Sequence, residues 1–394
     1  MSTDTHSSCS EQPSDDEEFR QPTRRELAEA KTYGRRKVYC HLADVALDVS
    51  LLVVLTVLLG KSLDLWLASF PALETTWLRL STFYLTIAAA QYVISLPLSL
   101  YSGFILEHQF GLSRQTLLRW FRRDLLKHAL LLIFGLAMIQ GLFWLIRWSG
   151  WLWWIAAAVA MFVVSVVLGQ LVPVLILPLF YKIEPLEDDR LESRFQRLVQ
   201  GTSLAIKGIY RMRLSRETVK ANALLAGLGH TRRVILGDTL LDGFTEDEIE
   251  VVLAHEIGHH VHHHIPKLIL AGMLFSTFSF FICDRVLVWW MDRQGVSYDS
   301  LPVYALPLLM LVVTLLSLAS GPLQNAVSRH FERQSDRYAL RHTGLRKAYV
   351  SAFQKLGRLN KADPHPPRLE VLLFHDHPPI GQRLAMAETQ EEAS

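Results

Sequence analysis

Residues 151–180 read "WLWWIAAAVAMFVVSVVLGQLVPVLILPLF", thirty consecutive positions without one ionisable side chain. A run of that length exceeds the roughly 20 residues that carry a helix across the hydrocarbon core of a bilayer. Working outward, comparable apolar runs lie at about 45–67, 80–104, 125–146, 267–290 and 301–322. Half of the 394 residues are apolar and only a fifth are charged, which is too apolar for an ordinary soluble protein. The expectation is an all-α integral membrane protein with about six transmembrane helices. The first run is not a cleavable signal: some forty mostly polar residues precede it, and no convincing small-residue cleavage site follows.

The formal net charge is +2, which makes no case for a nucleic-acid partner, so the Lys and Arg residues are read by position. Arg24, Arg25, Lys31, Arg35, Arg36 and Lys37 precede the first span, and Arg114, Arg119, Arg122, Arg123 and Lys127 fall between the second and third. The connections after the first and third spans carry few cations. The positive-inside rule then places both termini, the loop near 106–124, the segment 182–265 and the segment 323–394 in the cytoplasm. The membrane would be the inner or plasma membrane in a bacterium and the endoplasmic reticulum in a eukaryote. Cys9, Cys40 and Cys283 are far apart, without CxxC spacing, and read as ordinary reduced cysteines.

Residues 1–22 are acidic and unpatterned, and are expected to be a disordered tail ahead of a single domain at 23–394. Within 182–265, "DDRLESRFQRLVQGT" puts Leu191, Phe195 and Leu198 on one helical face. The stretches "GIYRMRLS", "ANALLAGLG" and "RRVILGDTLL" are short and partly alternating, as in a small antiparallel sheet. This is the cytoplasmic α+β segment.

At 254–268 the chain reads "AHEIGHHVHHHIPKL", six histidines beside a single glutamate. Upstream, Thr245 with Glu248 three residues on forms a capping-box signature, and the acidic residues 246–248 suit the positive end of a helix dipole. The spacing predicts a helix that runs through the histidines, with a kink at Pro266. His255, Glu256 and His259 form an HExxH motif. The chain's own composition would produce roughly 0.03 such matches by chance. On a helix, His255 and His259 are about 40° apart, so both rings can face one ion, while Glu256 stands about 100° round, beside it. That is the placement of a general base acting on a zinc-polarised water.

A catalytic zinc site usually has a third protein ligand. "NAVSRHFERQSDRYAL" follows the last span and, from the charge-derived topology, lies at the same membrane face. Glu332 is the expected third ligand, and Asp336, one turn on, the carboxylate that fixes a ligand histidine. Taken alone, Glu332 and Asp336 would read as a solvated face interleaved with Arg329, Arg333 and Arg337. His260 and His264 would point away from the ion on a continuous helix, and His262 lies a turn beyond His259. With His263, these four are assigned to the wetted rim where the helix meets the headgroups.

The HExxH, "FERQSDRYA", "ANALLAGLGHTRRVILGDTLL" and "HPPIGQR", in this chain order, resemble the type I CaaX prenyl endopeptidase family of integral-membrane zinc metalloproteases. The resemblance spans about Arg25 to Ala387. It implies helices enclosing a chamber, one Zn2+ on His255, His259 and Glu332, and Glu256 as base and acid. It further implies that His377 and Arg383 stabilise an oxyanion or hold the substrate backbone, and that Asn222 and Ala223 pair with an extended peptide. The implied partners are the bilayer and a peptide or protein substrate, prenylated or membrane-associated. Larger eukaryotic members resemble this chain preceded by one more span, so six spans point to a shorter, bacterial type, whose host could need a client other than a prenylated protein. Two alternatives stand beside this reading. One is a membrane-protein quality-control metalloprotease. The other is a divalent-metal transporter with a His-rich sensor, for which Asp48, Asp64, Asp284 and Arg285 are the charged residues near spans.

Overall fold

The computed structural model describes residues 22–202, 204, 208–227 and 232–389. Nearly all of the acidic N-terminal segment lies outside the described residues. Five continuous helical segments are long and apolar enough to cross a bilayer. They are α1 (Arg24–Ala68), α2 (Thr76–Gln109), the 64-residue stretch Leu117–Phe180, His264–Gln294 and Val303–Thr343. At about 1.5 Å per residue, 64 residues run far beyond the ~30 Å hydrocarbon thickness, so one straight span is excluded. The stretch folds back at Gly150, whose φ of 53° is a conformation other residues resist. This yields α3 (Leu117–Ser149) and α4 (Trp153–Leu171), two apolar helices that pack on each other, each long enough to cross a bilayer.

Apolar side chains such as Val57, Ile133, Trp148 and Trp151 are exposed on the outside of the bundle, where lipid would meet them. Inside, the two ends of the bundle differ. Around Leu80, Phe83, Phe143, Ile146, Trp153 and Leu287 the helices close on a solid apolar core. Toward the other end they part around a cavity of about 580 Å³ lined by Asp44, Asp48, Tyr84, Gln91, Tyr92 and His128.

At that parted end sits the α+β segment. Helix α5 (Asp189–Val199) is capped by Asp188, whose carboxylate accepts from the Arg190 and Leu191 amides, and it buries Leu191, Phe195 and Leu198 as their spacing requires. The sheet has four strands in the order β1-β2-β4-β3: β1 (Ile183–Pro185), β2 (Ile209–Met212), β3 (Ala223–Ala226) and β4 (Arg233–Gly237). It is mixed, not purely antiparallel as expected. β1 with β2 and β3 with β4 are antiparallel, but β2 and β4 run parallel. The reason is that β3 pairs on the far side of β4 and becomes an edge, which leaves β4's other side to β2.

Helix α6 (Glu246–Val261) begins with the expected Thr245–Glu248 capping box. Glu248 also accepts from Ser351 Oγ at 2.5 Å and Lys355 Nζ at 2.8 Å, tying α6 to a later helix, Arg346–Leu359. α6 does not run through all the histidines. It stops at Val261, His263 adopts a left-handed conformation (φ 54°), and α7 (His264–Gln294) starts afresh. The change of direction thus precedes Pro266. Pro266 falls in the first turn of α7, where a missing N–H sacrifices no helical hydrogen bond. The last long helix, α8 (Leu306–Thr343), carries the final span and continues beyond it to α6.

Candidate metal centre and active site

α6 and α8 touch at Gly258. A Cβ there would stand 3.0 Å from Ser335 Cα and 3.2 Å from Tyr338 Cβ, so only glycine allows the two backbones this close. The contact puts the HExxH turn of α6 against the Glu332–Asp336 turn of α8. His255 Nε2 lies 3.3 Å from Glu332 Oε2, His259 Nε2 lies 3.3 Å from Glu332 Oε1, and the two Nε2 atoms are 3.2 Å apart. One ligand atom from each of the three residues falls within 4.8 Å of the others.

Proton accounting shows what this convergence requires. His255 Nδ1 is 2.9 Å from Asp336 Oδ1. Asp336 is fully buried and receives Arg383 Nε at 3.0 Å and Arg383 Nη2 as well, so it is an ionised acceptor. His255 therefore donates from Nδ1, which leaves Nε2 as the nitrogen that meets Glu332, with a proton when the ring is charged and with a lone pair when a metal takes that proton's place. That nitrogen faces a carboxylate and a second imidazole. Glu332 Oε2, in a side chain 5% exposed, receives no hydrogen bond among the described residues. A buried carboxylate facing two imidazole nitrogens calls for positive charge, a proton or a metal, and two imidazoles with one carboxylate are a ligand set that suits zinc. The same convergence draws positive charge. Burial works to lower the His255 pKa, yet the Asp336 and Glu332 carboxylates beside the ring outweigh it and push it up to about 9, so that a proton stands where a metal would bind.

Glu256 stands beside this centre. Its carboxyl is raised above the ordinary glutamate value by burial, against the pull of His255 and His259, and it accepts a hydrogen bond from the Leu225 amide of β3. His377 closes another side, with Nε2 at 3.4 Å from Glu332 Oε1 and Nδ1 at 2.8 Å from Asp376 Oδ1. That bond to Asp376 raises its pKa, against the effect of burial. A cavity of about 850 Å³ opens next to His377, with Tyr33, Phe353, Asn360 and Asp376 in its wall.

The structure thus brings together His255, Glu256, His259, Glu332, Asp336, His377 and Arg383. It corrects three expectations. Arg383 borders the cavity beside His377, but its guanidinium is buried, packs over the Phe353 ring and is committed bidentately to Asp336, so it holds the carboxylate that holds His255. Asn222 has its main-chain carbonyl already bonded to the Gly237 amide at 2.9 Å, and its side chain is exposed. By the alternation of a strand, Ala223 and Leu225 turn their main-chain groups to the open edge. His264 is not on a wetted rim: it is 1% exposed, with Nδ1 at 3.0 Å from His259 Nδ1. His260 lies near Arg232 at 3.4 Å, His262 is half-buried against the Tyr338 ring, and His263 is exposed. Sequence reading missed Asp376, the Leu225 amide and Gly258, although a carboxylate next to His377 and a glycine within HExxH are both visible signals.

Residues 11–182 match a family model described as CAAX prenyl protease N-terminal, five membrane helices, and residues 185–391 match Peptidase family M48. The chain is 30% identical over 376 residues to the uncharacterized metalloprotease YhfN of Bacillus subtilis, covering 93% of this chain and 87% of the relative. It is 30% identical over 310 residues to a CAAX prenyl protease 1 homolog of Arabidopsis thaliana, covering 76% and 71%. In three dimensions it resembles the crystal structure of S. mikatae Ste24p with a TM-score of 0.79, at 24% identity and over 92% of this chain and 89% of that one.

Proposed function

The chain belongs to peptidase family M48 and is a membrane metalloendopeptidase of the CAAX prenyl protease type, and from that premise we propose how its site works and on what. The metal is one zinc ion, held by His255, His259 and Glu332. The observation that carries this is the convergence of the buried Glu332 carboxylate, one oxygen of which has no hydrogen bond, on the Nε2 atoms of two imidazoles. Zinc bound there would supply Lewis acidity and make a water molecule acidic near neutral pH.

The side chains divide the remaining work. Glu256, oriented by the Leu225 amide and made more basic by burial, takes the proton of the attacking water and returns it to the leaving amine. His377, fixed by Asp376, is on the open side of the site, where its Nε2–H can donate to the developing oxyanion. Ala223, on the free edge of β3, pairs with an extended substrate backbone, which brings the scissile bond past Glu256. Asp336 and Arg383 lock the His255 ring from behind.

The substrate is a prenylated or otherwise membrane-held polypeptide, cleaved near its C-terminus at the cytoplasmic face. Two things support this: the Lys and Arg distribution that puts the HExxH helix inside, and the lipid-facing bundle directly beside the site. The transporter alternative keeps only Asp48, on the wall of the bundle cavity, since Asp64 pairs with Arg79 at 3.0 Å and Asp284 is saturated by neighbours, Arg285 among them. The deciding experiment uses the full chain in detergent with a farnesylated peptide ending in a CaaX sequence, and the same peptide without the lipid. Glu256→Ala should keep one zinc per chain and lose about 10²- to 10⁴-fold in cleavage. Cleavage at the normal rate would remove Glu256 from its role, and equal turnover of the two peptides would remove the lipid from recognition.

A further inference from the structure

The proposed zinc site takes two ligands, His255 and His259, from the histidine-rich stretch and leaves His264 without a task, although it is the most deeply buried histidine of the group. Its position is a product of the chain reversal. On a continuous α6 it would lie nine residues past His255, about 180° away from the ligands. The left-handed turn at His263 instead carries the ring back beneath His259. There its Nδ1 stands 3.0 Å from His259 Nδ1, and its Nε2 stands 2.8 Å from Gln334 Oε1. The ring stacks on Phe331, with centroids 4.3 Å apart and planes 12° from parallel.

Two nitrogens at that distance share one proton, and the surroundings decide its owner. The Gln334 carbonyl oxygen can only accept, so His264 carries its proton on Nε2. The orientation of that amide is set on its other side, where Gln334 Nε2 meets His330 Nε2 at 3.1 Å. A neutral His264 then has a lone pair on Nδ1 and accepts from His259. His259 is thereby held with its proton on Nδ1 and its lone pair on Nε2, toward Glu332 and His255.

We propose that His264 is the positioning residue of His259: through its Nδ1 it fixes the tautomer and ring orientation in which His259 can bind metal, with Gln334 fixing His264 in turn. The two histidine ligands are then supported by different chemistry. His255 leans on an anion, Asp336, itself clamped by Arg383. His259 leans on a neutral imidazole. The inference rests on the zinc site proposed above.

The test is the zinc dissociation constant of the full-length protein in detergent, measured by chelator competition, for the parent chain and three variants. His264→Phe keeps a ring on Phe331 but cannot accept a proton, and should weaken zinc binding about 10- to 100-fold, the usual effect of losing a ligand's hydrogen-bond partner. His264→Asn shortens the side chain yet places Oδ1 near the former Nδ1, and should stay within a few-fold of the parent. A role in packing alone predicts the opposite order. Parent-like affinity in His264→Phe, or equal losses in the Phe and Asn variants, would overturn the proposal. Should His264→Phe not fold, Gln334→Leu carries the test: weakened zinc binding supports the relay, and unchanged binding overturns it. A parent chain that takes up no zinc would remove the underlying site, and this inference with it, which separates the two failures.

Discussion

Two carboxylates lie buried near opposite ends of the bundle, Asp284 at 0% exposure and Glu332 at 5%, and their neighbours have opposite polarity. Asp284 is surrounded by donors: Trp153 Nε1 at 2.7 Å and Tyr298 OH at 2.6 Å on one oxygen, and the Arg285 guanidinium on the other. It is complete as it stands, joining α4 and α7 to the loop after them. Glu332 faces imidazole nitrogens, which meet it with a proton or hand that place to a metal. It is complete only with a cation. Burial alone therefore does not mark function here. What separates a structural acid from a ligand is whether the groups facing it can donate.

The largest effect that sharpens this contrast is Glu332→Gln. Zinc content and cleavage should both vanish, since a neutral amide replaces the anionic ligand. The metal-free protein should melt slightly lower, by about 1 kcal/mol, because a neutral amide no longer balances the positive charge that Glu332 draws onto His255. A metal-free protein that melted far lower would mean that Glu332 is a structural acid after all. Asp284→Leu should do the reverse. It strands the buried Trp153 N–H and releases Tyr298, at a cost of about 3 kcal/mol read as a lower melting temperature. Zinc stoichiometry per folded chain should be unchanged. If zinc were lost together with stability, the two ends of the bundle would be coupled and the contrast would fail.

The same contrast separates what was legible in the sequence from what was not. The passes were legible because a bilayer accepts nothing but long apolar helices, and that demand is written in consecutive residues. His255, Glu256 and His259 were legible because phase on one unbroken helix is a local property. Glu332 followed from topology alone, as the side chain that returns to the same membrane face. His264 was misread because phase was carried across His262 and His263, where the helix is interrupted. Arg383 was recognisable as a member of the site, but its direction depends on Asp336, 47 residues earlier, and a sequence does not tell whether an arginine faces a substrate or a carboxylate behind it. The parallel pairing of β2 with β4 was hidden for a related reason: strand order is set by which edge β3 occupies, and the composition of the three strands is the same either way.

Gly258 links the two halves of the comparison, because Glu332 meets its partners only if α6 and α8 stay in contact, whereas Asp284 does not depend on that contact. In Gly258→Ala the new methyl would meet Ser335 Cα at 3.0 Å, an atom of backbone in a residue that is fully buried. No flexible side chain can give way there, so the helices must part by a few tenths of an ångström. Such overpacking costs about 1–3 kcal/mol, partly offset by alanine's better helix propensity. The larger consequence is for the ligands, which sit one residue to one turn away on both helices. Activity should fall about tenfold, less than the roughly 100-fold that a 1 Å misplacement produces. Zinc affinity should fall with it, while the protein remains folded and the Asp284 end is undisturbed. Measured side by side, chelator competition and melting temperature would show whether the loss follows the metal. If Gly258→Ala kept parent-like zinc affinity, the glycine would be a packing residue, and the geometry of the centre would have to be set by something other than the α6–α8 contact.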